Sequence, residues 1–82
     1  MTLDIVKKIL IKNLNLNEKT IKLNNESPLL GAIPELDSMA VIGIITTLED
    51  NFGFTVDDDE ISADNFATLG SLVTFVEKKL NE

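Results

Sequence analysis

Apolar positions along the chain fall into stretches with helical spacing, separated by stretches without it. In residues 3–16, Leu3, Val6, Leu10 and Leu14, flanked by Ile5 and Ile9, recur every three or four positions. That is the period of a helix with one buried face. Thr2 or Asp4 is placed to cap or charge its start, and the residues from Asn15 to Asn17 offer turn chemistry at its end. Residues 18–37 hold no such period. Pro28, Gly31 and Pro34 punctuate them, while Ile21, Leu23, Leu29, Leu30 and Ile33 read as anchors pinning a long loop. Loops of this length in small domains tend to be functional, and a short extended or helical piece inside this one stays open.

Met39, Ile42, Ile45, Leu48 and Phe52 form a second stripe, and Gly53 supplies a stop, which predicts a helix over about residues 38–52. Residues 41–45 alone have the β-branched character of a buried strand, but the stripe persists too long for one. With this stripe facing inward, Val41 and Ile44 are expected to lie partly exposed beside the start of the helix. After Phe54 and Val56, the acids Asp57, Asp58, Asp59 and Glu60 read as a solvated turn, and Ser62 is placed to cap a short helix through Phe66. Thr68 caps the last helix. Leu69, Leu72, Val73, Val76 and Leu80 line its inner face with Phe75 beside them, and Lys78 and Lys79 complement its C-terminal dipole. The pattern predicts an all-α fold of three longer helices, one short one and a long first loop.

Composition narrows what such a fold does. At 82 residues the chain is expected to be one domain, spanning 1–82, without a deep enclosed active site. Cysteine and histidine are both absent, which removes disulfides, thiolate metal sites and an intrinsic thiol nucleophile. The first twenty residues mix Lys7, Lys8 and Lys12 with apolar positions and lack the apolar block of a secretory signal, so a cytoplasmic location is expected. No apolar run approaches the roughly 18 residues of a membrane span.

The net charge is −7 and there is no arginine. Every lysine lies at position 7, 8, 12, 19, 22, 78 or 79, leaving residues 23–77 without a single base. Nucleic acid, which needs a basic surface, is excluded as a partner on these grounds. Basic faces on partner proteins fit better, and acidity for solubility alone is the plainer alternative. The run at 57–60 invites a calcium reading, but a calcium loop needs a central Gly and a Glu at its twelfth position. Thr68, Leu69 or Gly70 stands there instead.

One tetrapeptide, Leu36-Asp37-Ser38-Met39, places a serine hydroxyl at the mouth of the second predicted helix. By itself a Ser or Asp at that place is a helix cap. Here it comes with Leu30-Gly31 and Pro34 shortly before it, the apolar stripe and Glu49-Asp50-Asn51-Phe52-Gly53 after it, and the Thr68 helix at the end. Together these resemble the acyl carrier protein family over nearly the whole chain, with Asp-Ser-Met in place of the commoner Asp-Ser-Leu. Methionine preserves apolarity and volume there.

The resemblance implies a small four-helix bundle that is a carrier and not an enzyme. It implies a 4′-phosphopantetheine arm on Ser38, installed from coenzyme A with Mg²⁺ by a phosphopantetheinyl transferase that Asp37 helps to engage. Asp37 reads equally as a cap alone. Acyl ligases and acyl-transferring or condensing enzymes of fatty acid, specialised lipid or secondary metabolite pathways are the implied partners, with the carrier a monomer. Aminoacyl or peptidyl carriage, of the nonribosomal or D-alanyl kind, and an unmodified acidic interaction module are the alternatives. Fatty-acid carriers stud the helix after the serine with acids, whereas here Glu49 and Asp50 are its only ones. Met39, Val41, Ile44 and Glu49 are therefore the candidate partner contacts, with docking expected to be largely apolar.

Overall fold

A computed structural model describes residues 2–17 and 23–81; the loop anchor expected at Ile21 lies outside the described residues. Helix α1 (Thr2–Asn13) forms on the predicted period and turns Val6, Ile9 and Leu10 inward, with Asp4 in its first turn. It ends earlier than the hydrophobic pattern suggests because Asn15 takes the left-handed conformation, φ 54°, and the Leu16 N–H reaches back to the Ile11 carbonyl at 2.9 Å. That pairing caps a helix end. Leu14 stays buried from within the turn, and Ile5 is exposed.

The long loop is not free. Leu23, Leu29, Ile33 and Leu36 are buried, whereas Leu30 is exposed, which corrects its expected role as an anchor. Four backbone hydrogen bonds of 2.9 to 3.0 Å hold the loop against the segment entering the last helix: Leu29 N–H to Ala67 O, Leu30 N–H to Phe66 O, Leu69 N–H to Ser27 O and Gly70 N–H to Asn25 O. Pro28 and Thr68 form an isolated antiparallel bridge within this ladder, the extended piece that the sequence left open.

Helix α2 (Ser38–Phe52) stops where expected, with Gly53 left-handed at φ 77° and its N–H on the Glu49 carbonyl. Its buried face differs from the predicted stripe. Ile44, Ile45 and Leu48 are buried, while Met39 is 83% and Ile42 55% exposed. The reason is geometric: at about 100° per residue, Met39 and Leu48 lie nine positions apart and thus on opposite sides of the helix. Steps of three drift around the axis, and the inward face follows Ile44 and Leu48.

Past α2, Phe52 and Phe54 stack with ring centroids 5.9 Å apart. The predicted solvated turn is a 3₁₀ turn, Asp58–Glu60, and the short helix expected to follow is a second 3₁₀ turn, Ala63–Phe66. Ser62 precedes the second turn without a side-chain capping bond. Helix α3 (Leu69–Leu80) starts on a reciprocal cap, the Ser71 N–H donating to Thr68 Oγ1 at 3.1 Å and the Thr68 N–H to Ser71 Oγ at 3.0 Å. Leu69, Leu72, Val73, Phe75 and Val76 are buried, but Leu80 is exposed and Lys79 takes the inward place, correcting the expected Leu80. Helix α1 packs on both α2 and α3, and α3 on the second 3₁₀ turn. Three α-helices among the described residues give the predicted all-α class.

Candidate functional site

Ser38 is the first residue of α2, and its exposure follows from the residue before it. Asp37 adopts an extended backbone and its Oδ1 accepts the Ala40 N–H at 2.8 Å, which fixes the helix start one residue ahead of the serine. Asp37 is thus the cap, and Ser38 is left with its hydroxyl facing solvent at the positive end of the helix dipole. Amide groups of the first turn have no intrahelical acceptor, and that end favours an anion such as a phosphodiester. The first turn contains no acidic side chain to oppose one.

Beside the serine opens a groove of about 360 Å³. Val41 and Ile42 of α2 form one side, Leu30 of the loop a second, and Ile61, Ala63 and Phe66 of the 3₁₀ segment the third. Periodicity could not have found these last four residues, because three short elements assemble them and none has a helical stripe there. Met39 projects into solvent next to Ser38. Val41 is half-buried. Ile44 is fully buried, which overturns its expected exposure and removes it from any surface that a partner reaches. Glu49 is half-buried, and its Oε2 accepts the Val56 N–H at 2.8 Å, tying down the turn after α2.

An exposed primary hydroxyl at a helix N-terminus, next to an apolar groove, suits a phosphodiester-linked arm whose cargo needs shelter from water. The sequence profile described as "Phosphopantetheine attachment site" matches residues 4–76. The acyl carrier protein of Wolinella succinogenes is 32% identical over 77 residues, covering 90% of this chain and 91% of that one. The chain belongs to the acyl carrier protein family. The acyl carrier protein of Beutenbergia cavernae is 38% identical over 42 residues, about half of each chain. Among solved structures, a holo acyl carrier protein of Nitrosomonas europaea superposes with a TM-score of 0.88 at 59% identity, covering 98% of this chain and 96% of that one. Acyl carriers are not enzymes, and a covalently attached 4′-phosphopantetheine is their working group. No helix among the described residues is long and apolar enough to cross a membrane.

Proposed function

We propose that Ser38 is the residue that bears the arm, and that the whole chain, 1–82, works as one carrier domain in the cytoplasm. The observation that carries this reading is the exposed Ser38 hydroxyl at the capped start of α2, at the mouth of an apolar groove. When bound, the arm supplies the thiol that this sequence lacks, and acyl groups are held on it as thioesters. The chain's own part is to present the serine to a phosphopantetheinyl transferase, to balance the phosphodiester charge with first-turn amides, and to receive the acyl chain in the groove. The lining is apolar apart from Ser38 and Ser62, which favours an aliphatic acyl cargo over aminoacyl or peptidyl units.

Acyl ligases and acyl-transferring or condensing enzymes would dock on the face around the serine. Exposed Met39 and Ile42, with half-buried Val41, offer them apolar contact. The test is intact-protein mass after incubation with coenzyme A, Mg²⁺ and a broad-specificity phosphopantetheinyl transferase, beside Ser38→Ala. A single arm added to the parent and none to the variant supports the reading; no addition to a folded parent refutes it.

A further inference from the structure

The groove has one wall whose hold on the bundle is unusual. Ile61 lies between the two 3₁₀ turns, with Glu60 immediately before it, and Ala63 opens the second turn. Glu60 turns away from the groove to α3, where its two carboxylate oxygens accept the Lys79 ammonium at 2.9 and 3.0 Å. The lysine side chain is only 6% exposed and the glutamate's 28%. An ammonium buried to that extent is costly without a close anionic partner. Solvent and salt also screen such a pair less than a surface one.

A second attachment lies near the other end of the same helix. Asn65 Nδ2 donates to the Glu60 carbonyl at 2.8 Å, and the Asn65 carbonyl accepts Ser71 Oγ–H at 3.1 Å. The wall is therefore pinned to α3 at Ser71 and at Lys79, eight residues or roughly 12 Å apart along the helix. The Ser71 pin joins neutral groups. The Lys79 pin is charge-assisted and thus the stronger.

We infer that the Lys79–Glu60 pair is a latch that holds the groove's 3₁₀ wall against α3, and that it sets how far the groove beside Ser38 opens to an acyl chain. In its use of the groove this rests on the reading of Ser38 given above. With the latch closed, Ile61 and Ala63 stay fixed opposite Val41 and Ile42. With it released, residues 61–66 keep the Ser71 pin and the backbone ladder at Phe66 and Ala67, so the wall swings out near Ile61 and stays hinged near Phe66.

Hydrogen exchange on the unmodified protein tests the latch independently of the arm. In Lys79→Met, which keeps the stem's length and apolarity, the hydrogen-bonded amides of Ile61 and Asn65 exchange about five- to tenfold faster, while those of Leu10 and Ile45 keep their rates. Lys79→Arg restores most of the protection, and Lys78→Met, one position away and exposed, has a far smaller effect because Lys78 acts on Glu60 only through a weak Coulomb attraction. If Lys79→Met does not fold, Glu60→Gln decides instead, because it retains an acceptor for the Asp57 N–H while losing the charge. Unchanged exchange at Ile61 and Asn65, or acceleration by one common factor throughout the chain, overturns the latch. In the octanoyl-loaded carrier, Lys79→Met shifts the Ile61 and Val41 methyl resonances away from their loaded positions; identical spectra overturn its link to cargo. Failure to load at Ser38 would refute the carrier site and leave the exchange result standing.

Discussion

Leu30 and Phe66 are joined by a backbone hydrogen bond, Leu30 N–H to Phe66 O at 3.0 Å, and both line the groove beside Ser38. The loop that delivers the serine is therefore part of a short ladder with the chain entering α3. Glycine 70 makes the tightest rung possible. A Cβ there would stand 2.7 Å from the Asn25 carbonyl oxygen, a backbone atom that cannot swing aside.

Gly70→Ala is expected to destabilise the fold by about 1–3 kcal/mol, since overpacking moves the loop or the helix. Gly43→Ala makes the comparison: its Cβ would meet nothing closer than Asn13 Oδ1 at 3.8 Å, and alanine is better than glycine in a helix interior by up to about 1 kcal/mol. Urea denaturation of both variants should show opposite signs. Two equal losses would mean that the helical glycine is also needed for close packing.

The corrected face of α2 predicts a division between folding and docking. Ile44→Glu places a carboxylate at a fully buried position and should cost more than about 3 kcal/mol, enough to unfold much of the population. Ile42→Asp, at 55% exposure, should change stability by less than about 1 kcal/mol while slowing acyl transfer to partner enzymes several-fold. Circular dichroism melts and transfer kinetics separate the two. Unimpaired transfer by Ile42→Asp would end the apolar docking reading.

Asp37 holds the helix start through one hydrogen bond to Ala40. Asp37→Ala should lose about 1 kcal/mol, whereas Asp37→Asn, an equally good cap, should lose almost none. If the transferase reads the charge, Asp37→Asn will be modified several-fold more slowly despite its intact fold. Equal modification rates would restrict Asp37 to capping.

The Glu60 carboxyl is held below its ordinary value of 4.5, first by the Asp57 N–H and then by the Lys79 hydrogen bond, against a smaller opposing effect of burial. A carboxyl with a lower pKa folded than unfolded contributes stability that is complete above the unfolded value and is lost as pH falls through the folded one. As pH falls below 4.5 and through the depressed folded value, the parent should therefore lose more stability than Glu60→Gln. In Lys79→Met the carbon-detected titration of Glu60 should move upward yet remain below 4.5, because the Asp57 contact survives. A titration that does not move would detach Lys79 from the effect.

Much of this molecule was legible in its sequence because local rules govern it. The caps at Asp37 and Thr68, the stop at Gly53 and the turn at Asn15 are each set by one or two side chains and the backbone beside them. The exposed serine at the head of α2 follows from the same local chemistry. What periodicity misplaced was orientation: Met39 and Ile42 extend a run of threes that begins on the wrong side of the helix, and a dense apolar sequence such as Val41-Ile42-Gly43-Ile44-Ile45 offers two candidate faces. The neighbouring α1 decides between them, and no residue of α2 records that choice. Lys79 went unread as an interior residue for a related reason, since Leu80 fits the stripe better and the carboxylate that offsets the lysine's burial comes from Glu60, nineteen positions earlier.

The ladder between the long loop and the α3 entrance also orders events in time. Its halves lie about forty positions apart, a separation that makes their pairing a late step in folding. Because synthesis runs from the N-terminus, Ser38 and α2 are made before the residues that dock their loop, and Ile61, Ala63 and Phe66 follow. The serine is the early-made half of a site completed last. A transferase that requires the docked loop would meet its substrate only after α3 has cleared the exit tunnel, so that attachment of the arm would report that loop and helix have already paired.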